Sequence, residues 1–398
     1  MEKLKVGMIF HGAYPPHPRI ENQALHLIKN NMEVFLFCIT YKKNEASVTN
    51  YKGINLVKVY FPYLVYRLSA LAYSFPFYHW IVRAKVQDFI NQNKPDYLHV
   101  HNMLIAQTVF KLNLTFRLPL VFDIHENIPE IMKHYPHLKT LLGKMLINPT
   151  KWKRKETEFI IKADQLIMVT EDAKEEVILR TKIKQKKVKV LPNFTNPNFL
   201  KKKYDSTISN KYLDKFKVLY IGDTGERRGL ISVVKSVKYL IGTIPNLAII
   251  IVGKSKDDTE LQQEIRRENA NSYVFLEGWQ KEELLPDYVH ISDVGICPIL
   301  RNLHHDTTYA NKIFQYAMHG KAILASDCPS QASLIKENGW GLIHEANNPQ
   351  DFADKLLTLY KNKLEREQYG NNGKNSITTR YNFDSSNFNE AFYKNLNK

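Results

Sequence analysis

The sequence is poor in cysteine: among its 398 residues only Cys38, Cys297 and Cys328 occur, and they lie far apart. They form neither a CxxC pair nor a Cys/His ligand spacing, which argues against a disulfide framework and against a structural zinc site. Fully reduced cysteines are typical of the cytoplasm. We therefore expect a cytoplasmic protein without structural metal.

Long apolar runs are also missing. The most lipid-like stretch, residues 61–82, is interrupted by Pro62, Arg67 and Pro76, so its unbroken part is shorter than the ~20 residues that span a bilayer. The first five residues lack the basic region, the longer apolar segment and the small-residue cleavage site of a secretory signal. Neither a membrane-spanning helix nor export is predicted.

Acidic residues are scarce in the first half only. Residues 1–199 carry 29 Lys and Arg against 16 Asp and Glu, a net of +13, whereas residues 200–398 carry 27 against 24. Such an asymmetry favours an anionic partner, which means nucleic acid, an anionic membrane surface or a phosphorylated substrate. Surplus solubilising lysine is the alternative. A nucleic-acid role is not expected, because neither a GxxxxGK[ST] loop nor a known nucleic-acid module is present.

Short apolar runs alternate with amphipathic segments along the whole chain, which is typical of parallel α/β sheets covered by helices. The pattern restarts after a loop-forming cluster at residues 192–198, which predicts a domain boundary near 195–215. Near the end of the chain, Phe383, Phe388, Phe392 and Leu396 recur at roughly helical spacing, which predicts a final packed helix. The predicted strands are Lys5–Phe10, Val34–Ile39, Tyr97–His101, Leu118–Ile124, Leu166–Val169, Val188–Leu191, Lys217–Ile221, Leu247–Val252, Val274–Glu277, Val294–Cys297 and Ala322–Ser326.

Chemistry-bearing residues follow two strands of the first half. Gly12 ends the first strand but is the only glycine there, so the GxGxxG dinucleotide motif is absent. His125 and Glu126 follow the strand that ends at Ile124. We expect His125 to donate to a sugar hydroxyl or to a developing phosphate charge, and Glu126 to orient His125 or a substrate. The alternative is that His125 and Asp123 only cap a turn.

A second group of such residues follows the first strand of the second half. Gly222 opens a loop in which Arg227 and Arg228 precede a helical stretch. Fixed N–H donors and permanent positive charge at a helix start suit a diphosphate. An ordinary strand–helix loop with solvated arginines is the alternative.

The stretch from Asp306 to Asp327 makes the interpretation specific. It is similar to the "PNKxxEYMAxGxPVxASD" segment of the retaining nucleotide-sugar glycosyltransferases of family 4. Further landmarks in matching order are the "PPxPRVE"-like opening at residues 15–21, "xDxHD" at 122–126, "VxPN" at 190–193, "(R/K)G" at 228–229 and "FxG" at 275–278. The resemblance covers nearly the whole chain.

The resemblance implies an α/β fold of GT-B architecture, two Rossmann-like doubly wound domains facing a central cleft. Residues 1–199 would form the acceptor side, residues 200–380 the nucleotide-sugar donor side, and residues 381–398 a helix that crosses back to the first domain. It also implies a donor, with a UDP-sugar expected, a glycan or lipid-linked acceptor, retention at the anomeric carbon, and neither metal nor cofactor. The implied roles are catalytic for His125 and Glu126, acceptor-side for Arg19 and Glu21, and donor-binding for Gly12, Gly222, Arg227, Arg228, Gly278, Thr308, Asn311, Lys312 and Gln315.

The sequence departs from the family pattern at two positions. Gln315 stands where the family usually has a Glu that hydrogen-bonds the ribose, and Thr307 stands where a second acidic residue is frequent. Gln still donates and accepts hydrogen bonds but carries no charge. A catalytically weak or inactive glycosyltransferase-like subunit, or a sugar-binding protein, is therefore the alternative function.

The resemblance implies a role in bacterial-type cell-surface polysaccharide or glycoconjugate assembly. Aromatic residues and cations favour a peripheral position on the inner face of the cell membrane. Residues 61–82 are rich in aromatics beside Arg67 and Arg83, and residues 139–155 alternate cations with apolar residues that include Trp152. Both patterns suit an interfacial segment on anionic lipid. A core helix is the alternative for residues 61–82.

Overall fold

The computed structural model describes residues 3–15, 17–133, 138, 140–194, 199–200, 204–256, 258–382 and 392–393, with backbone alone at 142 and 144. The chain divides into two compact units. The first comprises Met1–Pro192 together with Ser386–Lys398, and the second comprises Asn193–Ser385. Each unit is built around one sheet with helices on both faces, in agreement with the α/β prediction.

The sheet of the first unit has eight strands in the order β3-β4-β2-β1-β5-β6-β7-β8. All neighbours are parallel except β3 and β4, which form an antiparallel hairpin at the edge. Its strands are β1 (Lys5–Phe10), β2 (Glu33–Thr40), β3 (Ser47–Tyr51), β4 (Ile54–Tyr60), β5 (Tyr97–His101), β6 (Leu120–Asp123), β7 (Gln165–Met168) and β8 (Val188–Val190).

The helices of this unit follow the strands and cover both faces. They are α1 (Pro18–Lys29), α2 (Tyr63–Ser69), α3 (Phe77–Asn93), α4 (Met103–Phe116), α5 (Ile128–Met132), α6 (Leu141–Leu146), α7 (Pro149–Lys162) and α8 (Glu171–Thr181). Phe122, Phe159 and Trp152 lie within one large apolar core with residues of β5 and α4. Because Trp152 is fully buried there, its expected role as a lipid anchor is wrong.

The sheet of the second unit has six parallel strands in the order β11-β10-β9-β12-β13-β14. They are β9 (Phe216–Ile221), β10 (Leu247–Val252), β11 (Val274–Gly278), β12 (Val294–Cys297), β13 (Ala322–Ser326) and β14 (Gly341–His344). The helices are α9 (Ser206–Lys211), α10 (Leu230–Ser236), α11 (Asp258–Arg267), α12 (Leu285–Ile291), α13 (Leu303–Asp306), α14 (Asn311–Met318), α15 (Pro329–Asn338), α16 (Pro349–Lys361) and α17 (Lys363–Thr379).

The end of the chain belongs to the first unit. Most of the predicted terminal helix, including Phe383, Phe388 and Leu396, lies outside the described residues. Tyr393 is described and fully buried, and its hydroxyl lies 2.8 Å from Nδ1 of His99 on β5. The tail is therefore anchored beside the centre of the first sheet.

Five of the eleven predicted strands, β1, β5, β10, β12 and β13, have the predicted boundaries, and the other six agree within two residues at either end. The prediction missed β3, β4 and β14. The β3–β4 hairpin turns at Lys52 and Gly53, both with positive φ, as a type I′ turn requires, and it lies at an exposed edge where polar residues interrupt the apolar pattern. Within the described part of the chain, no helix combines the length and apolarity that a bilayer crossing requires.

Candidate active site

Both sheets place the predicted site residues at their carboxyl edges. In open α/β sheets a ligand binds beyond the carboxyl ends of the strands, where the strand order reverses. The order reverses between β1 and β5 in the first unit and between β9 and β12 in the second. Gly12 and His125 follow β1 and β6, whereas Gly222 follows β9. The topology thus selects the same loops as the sequence.

Asp123, the last residue of β6, is the centre of a buried ionic network in the first unit. Its carboxylate accepts two hydrogen bonds from the Arg19 guanidinium, at 2.7 and 3.1 Å, and one from the Gln23 amide at 2.8 Å. Arg19 also donates to the carbonyl of Leu191 at 2.8 Å. Both charged side chains are almost completely buried, so each depends on the other for neutralisation.

Three histidines surround the same carboxylate. Nε2 of His125 lies 3.2 Å from Oδ2 of Asp123, and Nδ1 of His101 lies 3.4 Å from it. The rings of His99 and His101 stack at 4.3 Å, and Nδ1 of His101 lies 3.0 Å from Nε2 of His125. These contacts make His125 part of a buried network. A residue that only capped a turn would not need them.

Electrostatics keep this network in one charge state. Burial by itself would raise the pKa of Asp123, but the Arg19 guanidinium and the neighbouring histidines hold that pKa well below its usual range. Burial lowers the pKa of His101 well below 6.5, and burial also lowers the pKa of His99. These pKa changes thus favour an ionised Asp123 beside neutral imidazoles of His99 and His101.

His99, His101 and Asp123 are close enough to one another to hold a metal ion. The donor set does not fit one, however, because the Asp123 carboxylate already carries a guanidinium at 2.7 Å and an amide at 2.8 Å. A divalent cation at this point would face the Arg19 charge at short range. The network is better explained as a device that holds His125.

Asn102, which the sequence analysis missed, is the residue that contacts the other side of the His125 ring. Its side-chain amide Nδ2 lies 3.3 Å from Nδ1 of His125, and its Oδ1 accepts from the His125 backbone N–H at 3.3 Å. The sequence feature that could have identified Asn102 is its position directly after β5, where the strand order reverses and ligands bind.

Three predicted residues of the first unit have other contacts than expected. Arg19 is committed to Asp123 and Leu191, and the buried Glu21 accepts from Lys52 at 2.5 Å, so both side chains are engaged in internal ion pairs rather than facing an acceptor. Glu126 is exposed. The carboxylate that contacts His125 is that of Asp123, which is the orienting role expected of Glu126.

In the second unit, Lys312 is a buried ammonium group that has no counter-ion in the described part of the chain. Its Nζ lies 3.4 Å from the centre of the Tyr220 ring, and among the described residues it makes neither a hydrogen bond nor an ion pair. Burial, with the nearby Arg228 charge, lowers the pKa of Lys312 from 10.5 to about 7. A cation held in this way favours an incoming anion, which would restore its charge.

The glycine at position 222 keeps a side chain away from Lys312. Gly222 has φ +127°, and a Cβ there would lie 3.3 Å from Nζ of Lys312. Helix α14 begins at Asn311, and the residue before it is Ala310, which has no side-chain oxygen to cap the helix. Free N–H groups and the helix dipole then add to the positive potential at Lys312.

Arg228 lies in the loop that begins at Gly222. Its Nε donates to Asp223 at 3.0 Å, and this pair is partly exposed. Gly229 follows with φ +72°, and a Cβ at Gly229 would lie 1.9 Å from the carbonyl oxygen of Pro298. The glycine therefore lets the arginine loop pack directly against the residue that follows β12. Arg227 contributes to the same packing, because its carbonyl accepts from the Leu300 N–H at 3.0 Å.

A pocket of about 400 Å³ lies at the carboxyl ends of β10 and β11, and its lining includes Gly253, Gly278 and the indole of Trp279. Trp279 is 71% exposed, which is unusual for so large an apolar side chain. Glu277 also lines the pocket, but its carboxylate already accepts from Lys211 and two tyrosine hydroxyls. Trp279 offers the pocket an aromatic face on which a planar ring can stack.

The remaining predicted donor residues lie close to one another in sequence on α14 and before it. Thr308 donates its hydroxyl to the carbonyl of His304 at 2.8 Å, which fixes the loop that leads to α14. Asn311 is exposed and Gln315 is partly exposed, one turn further along the helix. Both side chains are available to a ligand at that edge.

Comparison with known proteins agrees with this architecture. Residues 19–199 match the family model "Glycosyltransferase Family 4", and residues 201–376 match "Glycosyl transferases group 1". The uncharacterized glycosyltransferase MJ1069 of Methanocaldococcus jannaschii is 23% identical over 182 residues, which cover 46% of this chain and 45% of that protein. The chain thus matches about half the length of this curated relative.

Solved structures extend the similarity to the whole chain. A glycosyltransferase from Rickettsia africae has a TM-score of 0.76 at 13% identity and covers 100% of both chains. HepE of Anabaena in complex with UDP-glucose has a TM-score of 0.69 at 13% identity and covers 99% of both chains. Such identities show the fold alone. Together with the two family models, they establish that the chain belongs to the GT-B glycosyltransferases, with a Family 4 first half and a group 1 second half.

Proposed function

We propose that the protein transfers a sugar from a nucleoside diphosphate donor, a UDP-sugar, to a hydroxyl of a glycan or lipid-linked acceptor. The observation that carries this proposal is the buried Lys312, which lies beside Gly222 and the uncapped start of α14. Its ammonium group has no counter-ion among the residues that the structure describes. A diphosphate supplies the missing negative charge. HepE, which has the same fold, binds UDP-glucose, and this supports uridine as the base.

The chemistry at this edge follows from charge development. When the bond between the sugar and the diphosphate breaks, negative charge grows on the leaving oxygen. Lys312 and Arg228 would neutralise that charge, and the reaction would then need no metal ion. The pocket at Gly278 and Trp279 would hold the base, and Gln315 would hydrogen-bond the ribose. Retention at the anomeric carbon is the stereochemistry of the resembled family.

In the first unit, His125 would bind the transferred sugar. The network of Asp123, Arg19 and His101 holds its ring in place, and a preorganised group costs little reorganisation during reaction. The acceptor hydroxyl would bind near Gly12, at the end of β1. The surrounding network then acts on the reaction only through the position of His125.

The test is a screen of nucleotide sugars for hydrolysis, transfer and thermal stabilisation, with Lys312→Met as the informative variant. Lys321→Met is the matched control, because Lys321 is also a shielded lysine of this unit but precedes β13 at the opposite edge of the sheet. We expect UDP to stabilise the wild type and the control but not Lys312→Met. Binding without turnover would favour the sugar-binding alternative, and equal binding by all three would contradict the proposed site.

We further propose that the enzyme works on an anionic membrane surface. The aromatic surface, as we call it, consists of seven large apolar side chains of α2, α3 and the loop between them that are 40–63% exposed: Tyr63, Leu64, Tyr66, Phe75, Phe77, Trp80 and Ile81. Between Glu45 and Asp88 the sequence contains five cations and lacks any acidic residue. One of these cations, Lys52, pairs with Glu21, which leaves four beside the aromatic rings. Aromatic rings beside such cations fit the headgroup region of an anionic bilayer.

This membrane proposal is tested by sedimentation with liposomes of neutral or anionic lipid. Each cation near an anionic surface contributes ~1 kcal/mol, so binding should require anionic lipid and weaken with salt. The double variant Phe77→Ser/Trp80→Ser should sediment less than the wild type. Leu114→Ser is the control, because Leu114 is also exposed in the first unit but lies on another helix, α4. Sedimentation that is indifferent to lipid charge, salt and the double variant would overturn this proposal.

A further inference from the structure

Asn102 adopts a backbone conformation that a residue with a side chain rarely occupies. Its φ of 64° and ψ of 169° lie in a region that is populated almost only by glycine. Glycine would fit this position between β5 and α4 without strain. The strain of Asn102 therefore indicates that its side chain has a task that glycine could not perform.

That task follows from the two hydrogen bonds that Asn102 makes with His125. The amide Nδ2 is a donor, so Nδ1 of His125, at 3.3 Å, must accept. On the other side of the ring, Nε2 lies 3.2 Å from a carboxylate oxygen of Asp123, which can only accept. Both contacts agree on a single state: a neutral imidazole with its proton on Nε2 and a lone pair on Nδ1. In this state Nδ1 of His101, which lies 3.0 Å from Nε2, is an acceptor.

The same geometry changes how His125 can bind a sugar. The Nε2 hydrogen is directed into the buried network, so the ring has no free N–H to donate, in contrast to the sequence-based expectation. The lone pair of Nδ1 can instead accept from a sugar hydroxyl. In the structure this lone pair is occupied by the Asn102 amide.

We propose that Asn102 is a positioning residue that fixes the Nε2–H tautomer of His125 and reserves its Nδ1 lone pair for a hydroxyl of the transferred sugar. The hydroxyl replaces the Asn102 amide on Nδ1, while Asn102 Oδ1 keeps its bond to the His125 backbone. This inference rests on the proposed function for the identity of the sugar, but the tautomer itself depends only on the contacts of the described side chains.

Two variants separate the strain from the hydrogen bonds. Asn102→Gly removes the side chain and relieves the strain, so it should raise the melting temperature. Because it loses the contact to Nδ1, its kcat should fall about tenfold, while its affinity for UDP stays unchanged. Asn102→Asp keeps the shape but places an acceptor against Nδ1. His125 should then protonate on both nitrogens, and kcat should fall by at least about a hundredfold.

The control is Asn31→Gly, because Asn31 also has a positive φ in the first unit but lies at the exposed end of α1. It should gain stability and keep full activity. Nitrogen-15 chemical shifts of labelled histidine, assigned with a His125→Gln variant, report the tautomer without any substrate. A wild-type His125 protonated on Nδ1, or an Asn102→Gly variant with unchanged kcat, would overturn the inference. If no donor is turned over, the proposed function fails, while the nitrogen shifts and melting temperatures still decide the role of Asn102.

Discussion

The two units treat their buried charges in opposite ways. In the first, the Asp123 carboxylate receives two hydrogen bonds from Arg19 and contacts from three imidazoles, so the network is neutralised internally. In the second, Lys312 is also buried, but its Nζ lies over the face of Tyr220 and makes no ion pair among the described residues. A closed network holds a side chain in position and is costly to break, whereas an uncompensated charge costs stability and favours a ligand.

This contrast predicts the largest effect for the closed network. Arg19→Met would leave the Asp123 carboxylate buried without its cation, which should lower the free energy of unfolding by about 3–5 kcal/mol. Lys52→Met is the comparison: it removes the cation that contacts the buried Glu21, but Lys52 is half-exposed, so water can take its place and the loss should be smaller than that of Arg19→Met. Urea unfolding followed by fluorescence measures both. Equal losses would show that the Asp123 network is not the stronger of the two.

At Lys312 the free energy of unfolding should change in the opposite direction. Lys312→Met removes an uncompensated buried charge, so the free energy of unfolding should rise rather than fall. Loss of one charge-assisted hydrogen bond to the diphosphate is worth about 1.5–3 kcal/mol, so the affinity for UDP should fall about tenfold to a hundredfold. Calorimetric titration and urea unfolding test the two effects separately. If Lys312→Met were less stable than the wild type and bound UDP with normal affinity, Lys312 would be a structural residue and not a ligand-binding one.

The pH dependence of stability sharpens the same comparison. Because burial lowers the pKa of Lys312 from 10.5 to about 7, the unfolded chain binds more protons than the folded chain between these two values. The free energy of unfolding of the wild type should therefore rise, relative to that of Lys312→Met, as the pH increases from about 7 to 10. Bound UDP should raise this pKa, so UDP binding near pH 8 should take up protons. Calorimetry in buffers of different ionisation enthalpy measures that uptake.

The smallest effect is expected at the chain end. Tyr393→Phe keeps the buried ring but loses the 2.8 Å contact of its hydroxyl with His99, which should cost about 0.5–1.5 kcal/mol. Tyr239→Phe, at an exposed position of the second unit, is the control and should change nothing measurable. Thermal unfolding compares them, and limited proteolysis reports whether the tail is released. A tail equally protected in both variants would show that the ring alone anchors it.

Much of the fold could be predicted from the sequence, since central parallel strands are apolar on both faces and their ends carry the site residues. Leu247–Val252 was predicted with its exact boundaries for this reason. The edge hairpin of β3 and β4 could not be found in this way. It borders the rest of the sheet only through β2, so its sequence need not be apolar on both faces. Similarly, Lys312, Arg228 and His125 were identified from motifs, but the partner of each was not.

What the sequence determined by itself is therefore the class of fold, the loops that bear the site and the uneven charge of the two halves. Only the tertiary structure decided which charges meet. Arg19 and Asp123 are more than one hundred positions apart, and their pairing depends on the packing of α1 against the end of β6. The same holds for the strained contact of Asn102 with His125 and for the isolation of Lys312. Local propensity encodes which elements form, whereas the neutralisation of a charge depends on residues that only long-range packing brings within a few ångströms.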